Sequence, residues 1–333
     1  MKSYDEVPVV YDDYKPPKSA DGRVHLSNPH LADLESDTLY HLALGTSTHN
    51  LEDMFGDVKF VCMGGTVKRM HEFAKMVARE LGLDGGEGDA PLVDLTAASN
   101  RYSMYKVGPV LSISHGMGVS SLSILMHEII KLVYYAKCTN VVFFRIGTSG
   151  GIGVPQGTVV ITQQAVDELL RPFYELHILG KIVRRPTDMN EELIEELKAC
   201  ENSDRATSEY QTVVGKTMCA MDFYEAQNRL DGAFCSFTLQ EKMSRLKEIS
   251  EAGVVNIEME AITFASMCRS AGIPGAIVCV TLINRLEGDQ VNTSKAYLEK
   301  LQQRPQELVL KFIKKRLQMM SNGVNGSTSE EHH

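Results

Sequence analysis

No apolar stretch in this 333-residue chain is long enough to cross a bilayer. The longest nearly unbroken one, residues 275–283, has nine residues, roughly half of the ~20 that a spanning helix needs. The opening residues, MKSYDEVPVVYDDYKPP, place acids and prolines where a signal peptide would carry its apolar core. The expected location is cytoplasmic, without membrane contact. Cys-x-x-Cys pairs are missing and the cysteine total, seven, is odd, which argues against a disulfide framework and a zinc ribbon alike. Excess positive charge is missing too. The net charge of −9 repels nucleic acid and anionic lipid, so an anion site has to come from a local group of arginines.

Recognised catalytic motifs are sparse. His127-Glu128 runs into Ile129-Ile130-Lys131, so there is no His-Glu-x-x-His zinc motif, and no other metal site is expected. Gly116-Met117-Gly118 lacks the third glycine of a dinucleotide fingerprint, and no Walker loop is present. Histidines and cysteines show no spacing that points to a nucleophile pair. His41 and His115 stand alone, and on spacing both read as structural.

What is present suits one ordinary globular domain: 43% hydrophobic and 23% charged residues, with no long linker between residues 25 and 318. Residues 1–24 and 319–333 read as disordered ends, and His332 and His333 as an inert tail. The clearest local pattern lies between Pro109 and Gly153. Val110, Leu111 and Ile113 lead into Gly116-Met117-Gly118; Leu122, Leu125, Ile129, Leu132, Val133 and Ala136 then recur at helical spacing. Residues 141–146 follow as a short strand that ends in a Gly147-Thr148-Ser149-Gly150-Gly151 turn. Strand, glycine turn, helix and strand make a βαβ unit with parallel strands. Similar alternation recurs at residues 58–81 and 254–282, and residues 297–318 suit a closing amphipathic helix. The expected class is α/β with a mostly parallel sheet, whose ligands sit at the carboxyl ends of strands.

Three glycine turns have an arginine close by: Arg69 follows Gly64-Gly65, Arg145 precedes Gly147, and Arg101 precedes the strand that ends at Gly116. Glycines admit an anion to the backbone, and a guanidinium matches phosphate oxygens. Arg145 stands out, because a charge directly after Val-Val-Phe-Phe is costly without a partner or ligand. Residues 223–229 offer the ring of Phe223, the amide of Gln227 and the guanidinium of Arg229. That mix fits a base with a carbonyl–NH–carbonyl edge, or simply an exposed helix start with one buried aromatic. Glu258 and Glu260 flank Met259 at the end of a predicted strand. They suit the vicinal hydroxyls of a sugar, or the start of the helix at Ala261.

Taken in order, FGDVKFVCMGG with Arg69, RYSMYKVGPVLSISHGMG, RIGTSGGIG, FYEAQNRLDG, NIEMEA, TLINRLEGDQ and QQRP resemble the animal uridine phosphorylases of the nucleoside phosphorylase-I superfamily. The resemblance covers most of residues 25–318. It implies a single domain with a central mixed, mostly parallel, distorted sheet flanked by helices, and a homodimer. It implies that inorganic phosphate is a co-substrate, held by Gly65, Arg69, Arg145 and Thr148 with Arg101 of a neighbouring subunit, and that no cofactor is required. Phe223, Gln227 and Arg229 would hold uracil, Met259 and Glu260 the ribose, and His41 would reach the 5′-hydroxyl from the partner. Uridine is the implied substrate, with deoxyuridine and thymidine beside it.

Departures from the family pattern are Ala226 and Asn228, where glycine is common, Ser120 for a proline, and Asn100 for an acid. A positive φ at 226 would strain alanine; at 228 asparagine tolerates it better. Two other readings follow: a purine nucleoside or methylthioadenosine enzyme, against which Gln227 and Arg229 argue, and a weak paralogue that binds nucleoside without turnover.

Overall fold

The computed structural model describes residues 7–16, 19–83, 92–202 and 210–327. Its elements in chain order are β1 (Val9–Tyr11), β2 (Thr38–Leu39), β3 (Leu44–Gly45), α1 (Leu51–Phe55), β4 (Phe60–Gly64), α2 (Val67–Glu80), β5 (Met104–Val107), β6 (Val110–Ser114) and α3 (Gly118–Tyr135). There follow β7 (Val142–Gly151), β8 (Val159–Val166), β9 (Phe173–Ile178), β10 (Lys181–Pro186), α4 (Glu191–Asn202) and β11 (Thr212–Cys219). The chain closes with α5 (Leu239–Glu251), β12 (Val254–Glu258), α6 (Ala261–Ser270), β13 (Gly275–Asn284) and α7 (Lys295–Ser327).

The main sheet has the order β12-β11-β8-β13-β7-β4-β6-β5. Most neighbours are parallel; β13 against β8 and β5 against β6 are antiparallel. The fold is therefore the expected mixed, mostly parallel α/β sheet. β6 and β7, on either side of α3 in the chain, are parallel with β4 between them. The distortion has a definite form. β12 also pairs antiparallel with the far end of β7, Asn256 opposite Gly151 and Ile257 opposite Gly150. β12, β11, β8, β13 and β7 thus close into a small barrel, and β4, β6 and β5 extend from its side.

Two sequence expectations are corrected. The run from Gly147 to Gly151 is not a turn; it continues β7. None of its three glycines has a positive φ, so they serve by lacking a side chain. A Cβ at Gly147 would lie 2.7 Å from Arg145 Nη1, and one at Gly150 would lie 2.9 Å from the Arg285 side chain. The ends also carry more structure than composition suggested. Val9–Tyr11 pairs parallel with β10, and α7 reaches Ser327. Residues 1–6 and 328–333, including His332 and His333, lie outside the described residues.

One large apolar core fills both faces of the sheet, and a smaller one lies under α5. α7 is fixed by Phe312, whose ring meets Phe144 at 5.2 Å and Phe60 at 6.4 Å, both edge-on. Among the described residues no helix is long and apolar enough to cross a membrane, and no group of three or more His, Cys, Asp or Glu could hold a metal ion. Phe312→Ala should cost ~3–5 kcal/mol of unfolding free energy in denaturant titration; a loss under ~1 kcal/mol would show that α7 is not anchored through this ring.

Candidate active site

Two helix N-termini meet beside β7. β4 ends at Gly64, and Gly65-Thr66 leads into α2, where the Thr66 hydroxyl accepts from Arg69 N–H at 3.3 Å. β6 ends at Ser114, and His115-Gly116-Met117 leads into α3, with Gly116 and Gly118 at φ 72° and 83°. The two turns touch: a Cβ on Gly65 would stand 3.2 Å from the Gly116 carbonyl. Met117 gives α3 no side-chain cap; instead Gly118 N–H donates to Glu260 Oε1 at 2.6 Å. Helix N-termini carry free N–H groups and partial positive charge, so the junction favours anions.

Arg145, on β7 and 3% exposed, supplies the fixed cation. Its Nη2 pairs with Glu258 Oε2 at 2.8 Å and with Glu260 Oε2, and its Nη1 donates to Cys279 Sγ at 3.0 Å. Burial alone would lower its pKa, but the two carboxylates outweigh burial and hold it above the usual range. Burial pushes Glu258 up to about 7 against the pull of Arg145. Glu260 is buried as well, yet Arg145 and His115 hold its carboxyl below the usual range. Glu258 takes the helix-start role: its oxygens accept from Glu260 N–H at 3.0 Å and Ala261 N–H at 2.8 Å. Arg69 is lowered to about 10, first by burial and then by Arg145, and its Nε donates to Gln302 Oε1 at 3.0 Å.

A second group lies on the wall of the same cavity. Asp222 accepts from Tyr224 N–H and Ala226 N–H, both at 3.0 Å, and shapes the short 3₁₀ turn Glu225–Gln227. Asn228 then reverses the chain in the left-handed region, φ 55° and ψ 38°; Ala226 has no positive φ. Arg229 is forked onto Asp231 by two 2.9 Å bonds and lies 4.4 Å from the Phe223 ring centroid. Arg285, 1% exposed, donates to the Gln227 carbonyl at 2.7 Å and to Gln227 Oε1 at 3.4 Å. Asp289 holds Arg285 at 3.0 Å and Lys242 at 2.7 Å.

These groups line one cavity of about 240 Å³. Gly65, Arg69, Arg145, Thr148 and Glu258 are on its wall, as are Phe223, Gln227, Arg229, Met259 and Glu260. Arg101 and His41 are not. Arg101 is exposed, and its N–H donates to Ser99 Oγ at 3.3 Å. Ser99 Oγ in turn donates to the His41 carbonyl at 2.7 Å, and His41 Nδ1 meets Glu128 Oε1 at 2.7 Å. The two are neighbours on a separate patch.

Two cavity residues escaped the sequence reading. Arg285 follows the apolar run 275–283 just as Arg145 follows its own, and the same cost argument would have found it. His115, 1% exposed, read as structural, yet neither ring nitrogen has a partner among the described residues. Residues 147–151 also spell Gly-x-Ser-x-Gly, the pattern of a hydrolase nucleophile elbow. Here they are strand, and Ser149 Oγ accepts from Asn256 and donates to the Val280 carbonyl, which leaves no elbow.

Burial, opposed by Glu260, lowers His115 to about 4. An imidazole that is neutral when folded and titrates near 6.5 when unfolded contributes stability above pH ~6.5 that is lost as pH falls toward 4. Between pH 7.5 and 5, wild type should lose ~2 kcal/mol more than His115→Phe; equal losses in paired denaturant titrations would contradict this.

A family model described as Phosphorylase superfamily matches residues 59–314. Uridine phosphorylase 1 of Mus musculus is 54% identical over 294 residues, 88% of this chain and 93% of that protein. A Schistosoma mansoni protein called inactive uridine phosphorylase B is 40% identical over 89% of this chain and 96% of its own length. The crystal structure of a uridine phosphorylase from Schistosoma mansoni in complex with thymidine superposes with a TM-score of 0.83 at 41% identity, covering 88% of this chain and 98% of that one. Sequence, fold and likeness agree: the chain belongs to the phosphorylase superfamily, among the animal uridine phosphorylases.

Proposed function

We propose that this chain cleaves uridine with inorganic phosphate to uracil and ribose 1-phosphate, and that it also accepts deoxyuridine and thymidine. One observation carries the reading: a single cavity holds both an anion junction (Arg69, Arg145 and the start of α2) and an amide–guanidinium pair, Gln227 and Arg229. Phosphate bound at the junction by Gly65, Arg69, Arg145 and Thr148 attacks C1′ as the glycosidic bond lengthens. The sugar gains oxocarbenium character, which the phosphate anion offsets. Glu260 accepts from the 2′- and 3′-hydroxyls, and Met259 packs on the ribose. Uracil departs with negative charge on its carbonyl oxygens, stacked on Phe223 and met by Gln227 and Arg229. Catalysis is positioning plus fixed donors where charge develops. Phosphate is a co-substrate, and the reaction needs no cofactor.

In this reading the catalytic domain spans residues 25–318, the enzyme is a cytoplasmic homodimer, and the partner subunit's Arg101 and the partner subunit's His41 complete each site. Support comes from their shared patch, linked through Ser99 and away from this chain's own cavity. A purine reading would need an aspartate or asparagine against N7; Gln227 and Arg229 argue against it, and the aspartates Asp231 and Asp289 are engaged by Arg229, Arg285 and Lys242. The weak-paralogue reading rested on Ala226 and Asn228; Ala226 has no positive φ, and asparagine reaches the left-handed region at modest cost.

Purified protein should release uracil from uridine only when phosphate is present, and no hypoxanthine from inosine. Base release without phosphate would mean hydrolysis and overturn the proposal. Arg229→Ala should lower kcat ~10²–10³-fold, on the scale of losing one preorganised donor to a developing anion. A near-normal rate would remove Arg229 from the leaving-group role.

A further inference from the structure

On the cavity wall, Arg145 has one buried nitrogen without a partner, Nε, among the described residues, whereas His115 has both of its ring nitrogens unpartnered. Its main chain is stapled on both sides: His115 N–H donates to the Gly64 carbonyl at 2.8 Å, and Ser121 Oγ donates to the His115 carbonyl at 2.5 Å. The ring is thereby held at the junction of β4, β6 and α3. A Cβ built on Gly65 would be 3.9 Å from both Arg69 Nη1 and His115 Cε1, so ring and guanidinium flank the same turn. Both ring nitrogens lack partners among the described residues, which is rare for a fully buried side chain and points to a ligand.

The charge around it narrows the ligand. Arg145 and Arg69 are offset by Glu260 and, in part, by Glu258, whose carboxyl burial raises, so the junction's net positive charge is small. An anion entering it gains from well-placed neutral donors rather than from net charge. A neutral imidazole has one N–H donor and one acceptor nitrogen. The two nitrogens face diverging directions, so a single phosphate meets one of them; hydrogen phosphate has a hydroxyl to donate to an acceptor nitrogen, whereas sulfate has only acceptors.

We propose that His115 contacts the phosphate co-substrate through one ring nitrogen, which accepts from the phosphate hydroxyl, and so favours phosphate over sulfate. This rests on the phosphorolysis reading above. His115→Phe should raise the KM for phosphate roughly 10–100-fold, the value of hydrogen bonds to a charged group, with the KM for uridine changed less than about threefold. Sulfate inhibition should change less than phosphate binding, so the preference narrows. His115→Gln, which keeps a donor and an acceptor, should recover part of both. Melting without ligands checks that each variant folds. If neither does, the ring ¹⁵N signals of histidine-labelled wild type decide: phosphate must shift those of the buried neutral ring and sulfate must shift them less.

An unchanged phosphate KM in folded variants, an equal rise for uridine, or an unchanged phosphate-to-sulfate ratio overturns the inference. Such results leave phosphorolysis intact as long as wild type releases uracil only with phosphate; phosphate-independent release sinks the underlying reading instead.

Discussion

A guanidinium buried to the degree of Arg145 must be answered where it stands, because an unpaired charge in the interior costs several kcal/mol. Its partners come from Glu258 at the end of β12 and Glu260 at the start of α6. For both to reach, β12 has to lie against the far end of β7, and there the sheet closes, Ile257 opposite Gly150. Glu260 extends the link to α3 through the Gly118 amide. Four elements are thus registered by one cation, and the cavity is the space left at their meeting point. The glycines of β7 follow from this. Gly147 leaves room for the Arg145 side chain, and Gly150 for Arg285.

The two carboxylates divide their work by what else they hold. Glu258 has its oxygens on the backbone of residues 260 and 261 as well as on Arg145. It fixes the helix start and has little capacity left for a ligand. Glu260 is held by Arg145 and one α3 amide and lies on the cavity wall, the better placed of the two for sugar hydroxyls in the proposed reaction. Glu260 and, in part, Glu258 offset the two arginines before any anion enters, so the net charge at the junction is small. Selectivity there has to come from the direction of donors, which is what two abutting helix N-termini supply.

Much of this was legible in the sequence. The βαβ pattern between Pro109 and Gly153 gave parallel strands, and Arg145 announced itself as a charge after Val-Val-Phe-Phe. The ten predicted side chains and glycines on the cavity wall were found from turns, spacing and family likeness together. The barrel closure was not legible, because β12 against β7 is a long-range pairing with no local signature, and glycines in series look like a turn whether they bend or merely make room. Arg285 carried the same signal as Arg145, a charge after an apolar run, but its partners carried none. Its role depends on Gln227 and Asp289, one of them 58 residues away in the chain. His115 was misjudged because a lone histidine carries no pattern; only three-dimensional bookkeeping of its ring nitrogens sets it apart.

The base end raises a different problem, since Gln227 and Arg229 sit on a loop rather than on a strand. A loop donor must be held by neighbours if it is to stabilise charge without first reorganising. Asp231 and the Phe223 ring hold Arg229, and Arg285 grips Gln227 at both its carbonyl and its amide oxygen. Asp289, itself held by Lys242, in turn keeps Arg285 in place. With this support the turn does not depend on glycine. Asp222 fixes the 3₁₀ segment through two amides, and a single left-handed residue, Asn228, makes the reversal. Asparagine reaches that conformation at modest cost, and alanine at 226 never has to. The loop keeps its shape although both family glycines are replaced, because the shape is imposed by side chains outside the positions that changed.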